Sequence, residues 1–116
     1  MGMLRDTSNQ EIDIVKEMAE CLGSTGLKLD EILVRARQAH ARAESLVRSY
    51  HDAEDCLERP EVDAVNASIR EYNTWIDKAE DALRWLLIQR EACGFRTHRN
   101  VDDHYPIPPR IRLLTP

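Results

Sequence analysis

LDEILVRARQAHARAESLVRSYHDAEDCL, residues 29–57, is the stretch that decides the fold. Leu29, Ile32, Ala36, Ala39, Ala43, Leu46, Tyr50, Ala53 and Leu57 recur at alternating steps of three and four, the period of a helix with one continuous apolar seam. The spacing predicts a helix from Leu29 to Leu57, on the order of 45 Å long at 1.5 Å per residue. Residues 62–90 repeat the pattern with Val62, Val65, Ile69, Tyr72, Ile76, Ala79, Leu83 and Leu86, followed by Arg90. Pro60 fits the first turn of this second long helix, where its missing N–H costs nothing, and Gly94 is a natural left-handed stop.

The short link makes the two helices antiparallel neighbours. A register in which paired residue numbers sum to 118 or 119 sets Leu57 by Val62, Tyr50 by Ile69, Leu46 by Tyr72, Ala43 by Ile76, Ala36 by Leu83 and Ile32 by Leu86. Small residues mostly face large ones, as interdigitation requires, and Ala39 faces Ala79 where the helices come nearest.

Upstream, Ser8 and Glu11 form a capping box for a short helix carrying Ile12, Val15, Ala19 and Leu22, which Gly23-Ser24-Thr25-Gly26 ends. Such a helix covers only the Gly26/Gly94 end of the hairpin. The other end leaves Leu46, Val47, Tyr50, Ile69, Tyr72 and Trp75 on an arm that cannot bury both flanks of its own seam. A second copy is the expected cover, most simply in a twofold four-helix dimer, with Leu46, Tyr50, Ile69, Tyr72 and Trp75 as its interface.

Downstream, residues 95–116 change character and read as non-helical. Tyr105-Pro106-Ile107-Pro108-Pro109-Arg110 favours polyproline II, and Ile111-Arg112-Leu113-Leu114 alternates as a short extended strand does. This tail carries +2 and the preceding body −7. It reads as a docking element in which Tyr105, Ile107 and Ile111 are apolar anchors, while Arg110 and Arg112 pair with acids of the body or of a partner. The expected fold is therefore all-α: a short N-terminal helix packed on a long antiparallel helical hairpin, with an extended, proline-rich C-terminal tail. The helical bundle occupies 1–94 and the tail 95–116, a single domain overall.

Composition agrees. The 116 residues are 42% apolar, 32% charged and 5% aromatic, which suits one small core. A net charge of −5 disfavours a general nucleic-acid surface. No apolar run approaches the roughly 18 residues of a membrane span, and the opening Met1-Gly2-Met3-Leu4-Arg5-Asp6 has neither a signal-peptide core nor a myristoylation pattern. A cytoplasmic setting is expected. Cys21, Cys56 and Cys93, odd in number and widely spaced, read as reduced thiols. Asn66-Ala67-Ser68 matches a glycosylation sequon, which carries no weight without a secretory signal.

Candidate chemistry concentrates at His98, Arg99, Asp102, Asp103, His104 and Tyr105. A tetrahedral metal site wants ligands fixed by secondary structure, and this stretch reads as a polar turn, so neither a metal nor a cofactor is expected. Arg99-Asn100-Val101-Asp102-Asp103-His104 resembles the R-N-x-x-x-H signature of the helical HEPN ribonucleases. That resemblance implies an all-helical dimer cleaving RNA without a metal, with Arg99 binding phosphate and His104 as acid/base. It covers six residues, and Arg35 and His40 have the same spacing. The sequence departs from the family where Asp102 and Asp103 replace apolar positions and Pro106, Pro108 and Pro109 stop a helix from continuing. His40, with Glu44 one turn on, reads as a half-buried, acid-paired histidine. Asp52, Glu54, Asp55, Glu58, Glu61 and Asp63, offset only by Arg59, form an acidic knob at the hairpin tip. Taken together, the sequence points to a non-enzymatic oligomerisation or adaptor protein. It would bind a protein partner or its own copy through the arm and tail, without membrane or nucleic acid; a HEPN-like ribonuclease is the alternative.

Overall fold

The apolar seams become two long helices that pack as a hairpin in the computed structural model, which describes residue 16 and residues 25–115, the side chains of 99 and 100 excepted. The expected helix over Ser8–Leu22 lies outside the described residues except at Lys16, which is helical and exposed. Helix α1 is Thr25–Asp52, α2 is Val62–Ala92, and a short α3 is Arg99–His104; no strand occurs among the described residues.

Helix α1 stops at Asp52, short of the Leu57 that its seam predicts. The Ala53 N–H closes the last turn on the Ser49 carbonyl, and Asp55 Oδ1 then accepts the Leu57 N–H at 3.0 Å, an Asx turn that competes with further helix. Leu57 is consequently 94% exposed and pairs with nothing across the seam. Pro60 precedes α2, whose first turn closes by a bond from Val65 N–H to the Glu61 carbonyl. At the far end Gly94 adopts φ +98, Phe95 N–H reaches the Arg90 carbonyl (2.9 Å) and Gly94 N–H reaches that of Glu91 (3.0 Å), a Schellman termination.

The chain divides into two compact units, one containing residues up to Asp30 with Asp81–Pro106, the other Glu31–Glu80 with Ile107–Pro116. In the first, Leu29, Leu86, Val101, Tyr105 and the side chain of Arg90 are buried. The guanidinium of Arg90 donates to the Thr97 carbonyl (2.8 Å) and to His98 Nδ1 (3.4 Å) and lies 5.0 Å from the Phe95 ring, so it gathers the chain that follows Gly94. Helix α3 corrects the non-helical reading of this segment. Val101 and Tyr105, one turn apart and both buried, give it an apolar stripe that the nearby prolines obscure in the sequence. Cys93 is disulfide-bonded, whereas Cys56 is free and exposed. The expectation that every thiol is reduced is therefore wrong for Cys93.

In the second unit the seams meet in the expected phase but not in the expected register. Ala36 and Ala39 pack with Tyr72 and Ile76, and Ala43 packs with Val65 and Ile69. Arg42 pairs with Glu71 at 2.9 Å, and His40 stands edge-on to Tyr72 at 5.2 Å. Paired numbers thus sum to about 112, one heptad from the predicted register. The long link 53–61 accounts for the offset. A slip of seven keeps every seam position on the seam, so periodicity cannot detect it.

Candidate interaction site

The site is built in the second unit, on the face of α2 that follows its seam. Asn66 and Asn73 stand seven residues apart, about 10.5 Å along one helix face. Each meets one residue of the C-terminal segment through a closed pair of hydrogen bonds. Asn73 Nδ2 donates to the Ile111 carbonyl (2.9 Å) and its Oδ1 accepts the Ile111 N–H (3.0 Å). Asn66 does the same with Leu114, at 2.9 Å and 2.7 Å. A carboxamide presents the same donor and acceptor as a peptide group, so these side chains act as two isolated rungs of a β-ladder. The segment 111–114 finds its backbone partners there instead of in a strand. Three extended residues advance about 9–10 Å, which matches the step between the two asparagines.

Other bonds extend the same track. Tyr72 Oη donates to the Pro109 carbonyl at 2.6 Å, and burial raises the phenol's pKa. Arg110 reaches back to two acids one turn apart on α2. Its Nη1 and Nη2 donate to Glu80 Oε1 and Oε2 at 3.0 and 2.9 Å, its Nε donates to Asp77 Oδ1 at 3.1 Å, and its Nη2 also contacts Asp77. Hydrogen bonds to Glu80 and then to Asp77 raise the guanidinium pKa still further, so this cation is permanent. Higher numbers on the segment pair with lower numbers on α2, so the strap formed by residues 107–115 runs antiparallel to that helix.

Apolar contacts complete the seating. Ile107 and Ile111 pack with Trp75 against the Ala36, Ala39, Tyr72 and Ile76 cluster. Ile111 and Leu114 join Leu46, Val47 and Tyr50 around Ala43, Val65 and Ile69. The expected interface residues and tail anchors thus come together within one chain. Ile69 and Tyr72 are fully buried and closed to a second copy in this arrangement, while Leu46, Tyr50 and Trp75 keep part of their surface. Lys78 Nζ lies 4.4 Å and the Arg35 guanidinium 5.8 Å from the Trp75 ring, cations that hold the indole at the edge of the track.

Two tail residues fall elsewhere. Tyr105 belongs to the first unit, where it is 3% exposed and its Oη donates to the Gly26 carbonyl at 3.4 Å; burial, with Asp30 nearby, pushes its pKa up to about 12. Arg112 is exposed, on the outer side of the strap between the two rungs.

Of the alternative pair, His104 is half-buried with its ring edge-on to Tyr105 at 4.7 Å, at the end of a six-residue helix, and the side chain of Arg99 is outside the described set. His98 Nε2 is bonded to Glu91 at 3.1 Å. Among the described residues no three histidine, cysteine, aspartate or glutamate side chains gather to hold a metal ion. His40 Nδ1 lies 3.5 Å from Glu44, as its spacing suggests.

Sequence reasoning misses Asn66, Asn73, Asp77, Glu80 and Arg90. Its one available signal was the recurrence of Asn at heptad spacing beside a seam, since a buried carboxamide needs partners. The chain matches no family profile, no curated protein and no solved structure. No described helix is long and apolar enough to cross a membrane.

Proposed function

We propose that the chain is a non-enzymatic interaction module whose binding surface is the hairpin arm, residues 31–52 and 62–80, and whose C-terminal strap is the resident cover of that surface. The paired contacts of Asn66 and Asn73 carry this reading. They hold the strap by its backbone, so they impose no side-chain identity and serve equally for a segment supplied by a partner protein or a second copy. Lifting the strap uncovers the outer surfaces of Leu46, Tyr50 and Trp75 and the strap-facing edges of Ile69 and Tyr72, and an exposed apolar face of this kind drives association. Its occupied and open forms would then differ in oligomeric state.

Sedimentation velocity on the full chain tests the reading. At micromolar concentration the parent should sediment as a monomer, and the Ile111→Asp variant, with a charge in place of an apolar anchor, should associate. If amide exchange at Leu114 shows the strap lifted, yet the arm neither self-associates nor binds a strap-like peptide, the arm is not a binding surface.

A further inference from the structure

We propose that the groove under the strap is a receptor site for an extended segment of another protein with the pattern aliphatic–Pro–Pro–Arg–aliphatic–x–x–aliphatic, and that the chain's own Ile107–Leu114 competes for it from within. This rests on the arm being a binding surface and adds what that surface selects.

Three independent features of the groove define the ligand. The carboxamides of Asn66 and Asn73 read backbone at two points three residues apart, which admits only an extended chain and leaves the two residues between them unread. Tyr72 takes the carbonyl of the residue before the arginine, here Pro109; prolines at that point hold the segment in polyproline II and lower the entropy cost of ordering it. Asp77 and Glu80, one turn apart on α2, form a fork for a planar guanidinium. They select its charge and shape, whereas a lysine would meet them only as a point charge. The apolar clusters then take the aliphatic residues on either side.

An arginine-bearing segment in trans meets the strap as a tethered rival at roughly millimolar effective concentration. The intact chain should therefore bind such a segment weakly, and loosening the strap should strengthen binding without any change in the groove. Arg110→Glu does this: it alters the strap, sets a negative charge against the two acids, and leaves every groove residue in place.

The probe is a labelled dodecapeptide with the sequence of residues 105–116, YPIPPRIRLLTP, together with a counterpart carrying Glu at the place of Arg110. Both are titrated by fluorescence anisotropy into full-length parent, R110E and R110E/N73A chains. The arginine peptide should bind R110E about tenfold tighter than it binds the parent, as removal of a tethered competitor requires. It should bind R110E about fivefold or more tighter than the glutamate peptide does, the range of a bidentate surface pair turned to repulsion. Adding Asn73→Ala removes two hydrogen bonds to the peptide backbone and should weaken it again about thirtyfold.

Equal affinity for the two peptides overturns the proposed selectivity while leaving the arm a binding surface. Absence of binding by either peptide to a chain whose Ile111 and Leu114 amides exchange rapidly overturns both. If those amides stay protected in R110E, Ile111→Asp replaces it as the lifting change, and protection in that variant too shows a fixed brace and ends the proposal. Binding of labelled full-length parent chain to R110E as tightly as the peptide assigns the groove to a second copy instead, which also overturns it.

Discussion

Replacing Asn73 with Ala removes two hydrogen bonds at once, the donor to the Ile111 carbonyl and the acceptor of the Ile111 N–H. A protein hydrogen bond contributes about 1 kcal/mol net, so the pair is worth about 2 kcal/mol to the closed strap, roughly a thirtyfold change in its opening equilibrium. Asn66→Ala should act alike through Leu114, and somewhat more severely, because Asn66 is only 7% exposed and water reaches the orphaned groups less easily. The two sites are about 10 Å apart and make no shared bond, so their effects should add to about 4 kcal/mol. Amide hydrogen exchange resolved by NMR measures this directly, since the Ile111 and Leu114 N–H groups are the ones released. Asn73→Asp sharpens the result. It preserves the acceptor but loses the donor and turns a carboxylate oxygen toward a carbonyl, so it should open the strap at least as much as Ala does. Unchanged exchange at Ile111 in both Asn73 variants, with helical content intact, refutes the backbone-reading role.

Two further outcomes follow from the packing. Ala39 is buried against Ala36, Tyr72 and Ile76, and Ala39→Leu should overpack that point and lower stability by about 1–3 kcal/mol in urea denaturation; a variant as stable as the parent places Ala39 at the surface. Tyr105 has a folded pKa raised to about 12 from an ordinary value near 10, so the folded state holds its proton more tightly than the unfolded chain. Its contribution is complete below about pH 10 and is lost as pH rises toward 12, so melting temperature should fall across that window, and less steeply in Tyr105→Phe.

The phase of both seams, Gly94 as a stop and the tail residues Ile107 and Ile111 were legible because each depends on local period, on apolarity or on a residue with a single conformational use, whereas Tyr105, read as a third anchor, belongs to the first unit. Register was not. The Asx turn at Asp55 shortens α1 and lengthens the link, and a heptad slip leaves the apolar pattern unchanged. Helix α3 was hidden because its stabilisation comes from burying Val101 and Tyr105, a tertiary effect that outweighs the prolines after it. The interaction site was half legible. Arg110 was singled out by charge and Ile107 and Ile111 by apolarity, but Asn66 was read only as part of a glycosylation sequon and Asn73 was not singled out. Carboxamides give no hydropathy signal, and their role appears only once an extended chain lies beside them.

The two rungs also act as a ruler. One side of the match is the helix rise between Asn66 and Asn73, the other is the extended rise between Ile111 and Leu114, and neither can stretch. Side chains at Arg112 and Leu113 lie outside what is measured and are free to change, but the count of residues between the rungs is not. One residue more or fewer there shifts the second backbone contact by about 3 Å, beyond hydrogen-bond reach. In any chain built on this plan, substitutions should accumulate at those two positions while insertions and deletions are excluded, a pattern set by length and not by chemistry.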